Sequence, residues 1–145
     1  MAILDEKLEL CDAQAITATD RSEGQINLGA ANLQIGAGTP LYLNIRTNTA
    51  FTSSSETITI DLYTHDASFD ETQGTKILEV LAATAVSASP FATAGTWIFR
   101  GTIPYEALQQ YVALRFTCSD TPAAGKIDAW ISLDAQSSYG ISAEV

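Results

Sequence analysis

The chain has 145 residues, with seventeen acidic side chains against seven basic ones and a formal charge of −10. That length suits one domain, 1–145, which buries about two-thirds of its unfolded surface without disulfide or metal staples. The charge argues against nucleic acid and anionic membrane as partners, because the basic residues are scattered and form no run to offset repulsion from phosphate.

The opening MAILDEKLEL lacks a basic stretch followed by an apolar core, and no later run is long enough to span a bilayer, so synthesis and retention in cytoplasm are expected. Ile3, Leu4, Leu8 and Leu10 alternate with Asp5, Glu6, Lys7 and Glu9. This predicts a short amphipathic arm within residues 1–12, either a first strand or a segment that pairs with another chain's sheet edge. Cys11 and Cys118 lie far apart with no C-x-x-C spacing, and in a reducing compartment both are expected as free thiols.

Gln25 to Leu28 reads as an edge strand. The glycines of IGAGTPLYLNIRTN are turn chemistry rather than a phosphate cradle: no GK[ST] follows, and Leu41, Leu43 and Ile45 alternate with Tyr42, Asn44 and Arg46, the period of a half-buried strand. Further strands are predicted over Leu41 to Thr47, Thr57 to His65, Lys76 to Ala82, Thr96 to Ile103, Tyr111 to Cys118 and Lys126 to Leu133. Each is rich in β-branched and aromatic residues and bounded by Gly, Pro, Ser or Asp. The connections are too short for crossover helices; only Pro104 to Gln110 has helical composition. The expected fold is therefore all-β, an antiparallel two-sheet sandwich with at most one short helix near 104–110, and the pattern alone leaves jelly-roll and Ig-like topologies open. Asn48 to Glu56, carrying Phe51, and Ala83 to Gly95, carrying Phe91, read as long surface loops. Residues 136–145 form a polar, glycine-containing tail that is free to fray.

The catalytic inventory is thin. His65, the only histidine, ends a predicted strand beside Asp66, and no G-x-S-x-G elbow accompanies it; a triad would need a serine brought in by the fold. Asp66, Asp70 and Glu71 lack the spacing of a calcium loop and read as a solvated acidic turn. Asp61 and Asp128 sit on the outward parity of their strands, where a hydrolytic pair or, more simply, cross-strand partners for Arg46, Arg115 or Lys126 are the readings. No metal or cofactor is expected. Trp130 falls on the parity opposite Ile127, Ala129, Ile131 and Leu133, and Tyr42, Tyr63 and Tyr111 do the same in their strands. Such aromatics either cover a neighbouring edge or make oligomer or partner contacts. A carbohydrate-stacking platform built from Trp130 with Tyr42 or Tyr63 is the alternative from a different class.

Four segments, ILDEKLELCDAQAIT, INLGAANLQIGAGTPLYLNIRTNTAFT, TITIDLYTHDASF and YVALRFTCSDTPAAGKIDAWISLDAQ, together resemble the small capsid cement proteins of tailed bacteriophages, of the Bordetella-phage type. The resemblance covers most of the chain in order. It implies a jelly-roll sandwich without enzymatic activity, carried on the virion as a homo-oligomer, dimer or trimer, that sits on the outer capsid surface and bridges neighbouring subunits of the phage major capsid protein. The resemblance supplies no residue-level motif, so the expected partner contacts come from the side chains themselves: Ile3, Leu4, Leu8 and Leu10 of the arm, Phe51 and Phe91 of the loops, and Trp130.

Overall fold

A computed structural model describes residues 8–28, 41–52, 55–104, 108–122 and 124–132. The period-two segments become strands: β1 (Glu9–Ala15), β2 (Asp20–Arg21), β3 (Ile26–Asn27), β4 (Tyr42–Thr49), β5 (Thr57–His65), β6 (Thr75–Ala85), β7 (Trp97–Thr102), β8 (Tyr111–Cys118) and β9 (Lys126–Ser132). One sheet, here sheet A, runs β1-β9-β4-β7; the other, sheet B, runs β2-β8-β5-β6, with β3 also pairing β8. All the pairings are antiparallel.

The order has a simple physical description. β1 pairs β9, β2 and β3 pair β8, β4 pairs β7 and β5 pairs β6, which is one long hairpin with β5 and β6 at its tip. Rolling that hairpin brings β9 against β4 and β8 against β5, and the alternating apolar positions of both halves turn inward together. This is the jelly-roll form of the antiparallel sandwich. Leu43, Ile45 and Thr47 of β4 and Ile127, Ala129 and Ile131 of β9 face Ile58, Ile60 and Leu62 of β5 and Val112, Leu114 and Phe116 of β8, all buried. Each fully buried Ile or Leu stabilises the fold by about 1.5–3 kcal/mol relative to exposure.

The rolled sandwich has one edge sewn shut. β2 and β3 behave as one strand broken at Ser22 to Gln25, and the break turns the chain toward β1. Ser22 Oγ accepts the Leu114 N–H (3.1 Å) and donates to Gly24 O (2.7 Å), replacing the ladder bonds the break removes. Gly24 N donates to Leu10 O (2.7 Å). A Cβ at Gly24 would stand 2.3 Å from Glu9 O, so only glycine lets the two sheet edges approach this closely. Asp12 N to Glu23 Oε1 (3.0 Å) and Gln14 Nε2 to Arg21 O (3.1 Å) complete the seam.

Several expectations need correction. The strand at the N-terminal end begins at Glu9 and runs to Ala15, beyond the expected arm; Leu10, within the arm, is buried in the core, and Leu8 is half-buried against it. Ile3 and Leu4 lie outside the described residues. So do 105–107 of the expected helix, whose described flanks, Pro104 and residues 108–110, are not helical, and so does the 136–145 tail. β6 extends through Ala85, into the stretch expected as loop. Cys11 and Cys118 are free thiols. Burial pushes both up, for Cys11 reinforced by the carboxylates of Glu23 and Asp128.

Candidate interaction face

The aromatic residues expected to reach a partner divide into two groups. Phe51 and Phe91 face inward: their rings meet edge to face, 5.1 Å between centroids, and both are buried. Phe51 N donates to Phe91 O (3.0 Å), Thr47 Oγ1 donates to Pro90 O (2.9 Å), and Gly95 N donates to Thr47 O (2.7 Å), so the loop after β6 is laced to β4 and to the segment that follows it. Gly125 sits under the Phe51 ring, where a Cβ would come within 2.3 Å of it. As partner contacts these two residues are therefore corrected: their area is spent inside the chain's own core.

Trp130 faces outward on sheet A, as its parity requires, but is only 5% exposed. It packs against Trp97 of β7 at 5.6 Å between centroids, with Arg46 over its ring at 5.6 Å and Arg100 over Trp97 at 4.8 Å. The result is an Arg–Trp–Trp–Arg row across β9, β4 and β7. Arg46 is further held by Asp128 (Nε to Oδ2, 3.2 Å), which also accepts from Asn48 Nδ2 (3.0 Å) and from Ala13 N (2.8 Å). Beneath the row lies Asn44, register partner of Trp130 and fully buried. Its Nδ2 donates to Ser132 Oγ (3.0 Å), while its Oδ1 and the Trp130 Nε1 find no hydrogen-bond partner. Trp97 was missed by sequence reading because a register shift in the β4–β7 pairing, between Ile45 and Arg46, disguises its parity.

The outer face of sheet B is organised differently. Arg115 of β8 lies 3.7 Å above the Tyr63 ring and donates through Nη2 to Gln73 O in the turn before β6. Asp61, nearly buried, has Lys76 Nζ at 3.7 Å. Burial pushes the Asp61 carboxyl up, against the lowering influence of Lys76. The turn that covers this face is held by Asp70 Oδ1, which accepts from Thr72 N (2.8 Å) and Thr72 Oγ1 (2.5 Å); these bonds hold the Asp70 carboxyl below its usual value.

The chemical constellations considered from sequence are not assembled. Asp61 and Asp128 lie on the outer faces of opposite sheets, so they form no dyad, and each has the cross-strand cation expected of the simpler reading or a neighbouring lysine. Tyr63 is on sheet B and Trp130 on sheet A, so they share no platform; Tyr42 shares the Trp130 face, but the buried Trp130 ring offers no flat surface for a sugar. His65 is tied into its own turn: Nδ1 accepts from Ala67 N (3.0 Å), Asp66 Oδ1 is 3.1 Å away, and the ring stacks on Phe69. Asp70 is likewise committed to Thr72. Among the described residues no three His, Cys, Asp or Glu side chains converge as metal ligands. An open acidic groove of about 420 Å³ runs along the sewn edge, lined by Glu9, Leu10, Asp12, Glu23 and Gly24.

Comparison with known families adds the missing context. The family model Bbp16 matches residues 10–131, from β1 to the penultimate residue of β9. The chain belongs to the Bbp16 family. Bbp16 is a family of Bordetella phage proteins, and the match spans both sheets, so the jelly roll described above belongs to the region that defines the family. No curated protein matches this Bbp16 chain.

Proposed function

We propose that this Bbp16 protein is a structural virion component that binds the outer surface of a phage head and cements neighbouring major capsid subunits. The observation that carries the reading is the family match across the entire jelly roll, taken with the resemblance of its segments to capsid cement proteins. The internal economy of the fold supports it. The histidine, the acidic turn and the carboxylates of Asp61 and Asp128 are engaged in turns and ion pairs, which suits a non-catalytic module. A cement protein acts by preferring assembled shell over free subunits, so that mass action opposes disassembly. Many weak, identical contacts on one lattice then sum through multivalency. A formal charge of −10 limits clumping between decorated particles.

Assembly as a homo-oligomer, dimer or trimer, is part of the proposal, since a symmetric lattice presents symmetric sites. Purified protein added to heads that lack it should attach to saturation and raise the temperature at which the heads rupture. Absence of saturable attachment removes the reading. Light scattering on the pure protein reads the oligomeric state directly.

A further inference from the structure

Both outer faces carry cations, but they are differently engaged: on sheet B Lys76 stands against Asp61 and Glu79, and Arg115 is bonded to Gln73 O. On β4, β7 and β9, the outward positions of sheet A carry Arg46, Arg100 and Lys126, three of the chain's seven cations, against Asp128 alone of its seventeen carboxylates, with Glu9 of β1 at the margin. All three cations are exposed. Arg46 is partnered by Asp128, but among the described residues Arg100 makes no ion pair and rests only on Trp97. The same face holds both tryptophans of the chain. At its floor are two buried polar atoms without partners, an acceptor at Asn44 Oδ1 and a donor at Trp130 Nε1, on strands directly in register.

These features act together. Trp and Arg are the residues that dominate binding energy when a contact is desolvated. Cations left without a carboxylate partner attract an anionic segment to this face and orient it. The face is a broad sheet surface, suited to a protein segment rather than to an enclosed small molecule.

We propose that the outward face of sheet A is a docking surface for an acidic protein segment, whose carboxylates pair with Arg46, Arg100 and Lys126 and whose apolar groups pack on Trp97 and on the arginine stem that covers Trp130. The identity of that segment as part of a phage shell rests on the function proposed above; the docking surface itself does not.

Because both tryptophans lie on this face, their emission, excited at a wavelength beyond tyrosine absorption, reports on it alone. Full-length protein is titrated with a terminally blocked, glutamate-rich peptide containing leucines, at low and high salt, beside a lysine-rich peptide and polygalacturonate. The expected result is a saturable emission change with the acidic peptide only, weakened by salt as exposed ion pairs are screened. Arg100→Glu and, independently, Lys126→Glu should each weaken it by about tenfold or more, while Thr117→Glu, on the outer face of sheet B, leaves it unchanged. No emission change with the acidic peptide, an equal response in Arg100→Glu and Lys126→Glu, or a response to polygalacturonate without one to the peptide overturns the proposal. Attachment to phage heads separates the two readings. Heads that bind wild type and both charge-reversal variants equally remove the shell as the source of the acidic segment and leave the cement role standing, while the peptide titration alone decides the docking surface. Peptide binding that is lost in the variants, with no head attachment by wild type, supports the docking surface and removes the cement role.

Discussion

Two aromatic pairs of similar geometry do opposite work in this fold. Phe51 and Phe91 meet at 5.1 Å and close the space under the loops flanking β4, with no polar atoms to satisfy. Trp97 and Trp130 meet at 5.6 Å on the outside of sheet A, flanked by guanidinium groups. The difference lies in what caps each pair. Backbone hydrogen bonds from Phe51, Thr47 and Gly95 draw a loop over the phenylalanines, whereas the tryptophans are covered by long, charged side chains. An aromatic residue in a polar loop can thus be core, and one on the outward face of a strand can be closed over by its charged neighbours.

The largest expected effect breaks the inner pair. Phe91→Ala empties a fully buried site and should destabilise the protein by about 3–5 kcal/mol, read from urea unfolding. Combining it with Phe51→Ala should cost less than the sum of the two, by about 0.5–1.5 kcal/mol, the coupling of an aromatic contact. An additive pair would mean that the rings share a cavity wall without interacting.

Next comes Gly125→Ala, which attacks the same pair from outside. Gly125 has φ +131° and its absent Cβ would collide with the Phe51 ring, so strain and overpacking combine to cost more than about 2 kcal/mol. Gly95→Ala is the companion measurement: its φ is +82° but nothing lies within 4 Å of the new Cβ, so it should cost only the conformational strain of about 1 kcal/mol. Equal losses would show that the Phe51 contact contributes nothing.

Much of this was legible in the sequence, and the failures are instructive. β5 and β8 have the bounds their strict alternation predicts. β1 escaped because register shifts at Glu9/Cys11 and Cys11/Gln14, with Ala13 at φ 50°, destroy the period two on which strand reading depends. β2 is two residues long and exists only because β8 offers a ladder. Parity assigned Trp130, Tyr63, Asp61 and Asp128 to outward faces, and each is outward. Parity cannot say which sheet a strand joins, and so the Asp61–Asp128 and Tyr63–Trp130 pairs dissolve across the thickness of the sandwich. Phe51 and Phe91 were read as exposed because loop composition reports the neighbours of a residue along the chain, and not the strands that fold over it.

A third ring contact sharpens the comparison from the other sheet. Arg115 over Tyr63 resembles Arg100 over Trp97, yet Arg115 is also bonded to Gln73 O and faces the nearly buried Asp61. Arg115→Ala should cost about 2 kcal/mol at neutral pH, the scale of a charged hydrogen bond lost at a shielded site. The loss should depend on pH with a definite sign. Asp61 has its folded pKa raised by burial, so its contribution to stability is present below the unfolded carboxylate pKa and is lost as pH rises through the folded value. Arg115 opposes that rise; without it the Asp61 pKa moves further up and the ionised form is costlier. Arg115→Ala should therefore be less destabilising near pH 4 than near pH 7, and Asp61→Asn should flatten the difference.

The smallest effect on stability is expected where the proposed binding effect is largest. Arg100 is exposed on β7 and, among the described residues, stacks on a partly buried Trp97 without an ion pair, so Arg100→Ala should change the unfolding free energy by only about 0.5 kcal/mol. The Arg115 variant, with the same atoms removed from a similar stack, supplies the reference for what an internal role costs. If Arg100→Ala proves as destabilising as Arg115→Ala, Arg100 is a structural brace and the Trp97–Trp130 row is a surface patch closed by the chain itself. A near-neutral Arg100→Ala with weakened capture of the acidic peptide assigns the residue to recognition, because a brace cannot be removed without a stability cost and a binding residue can.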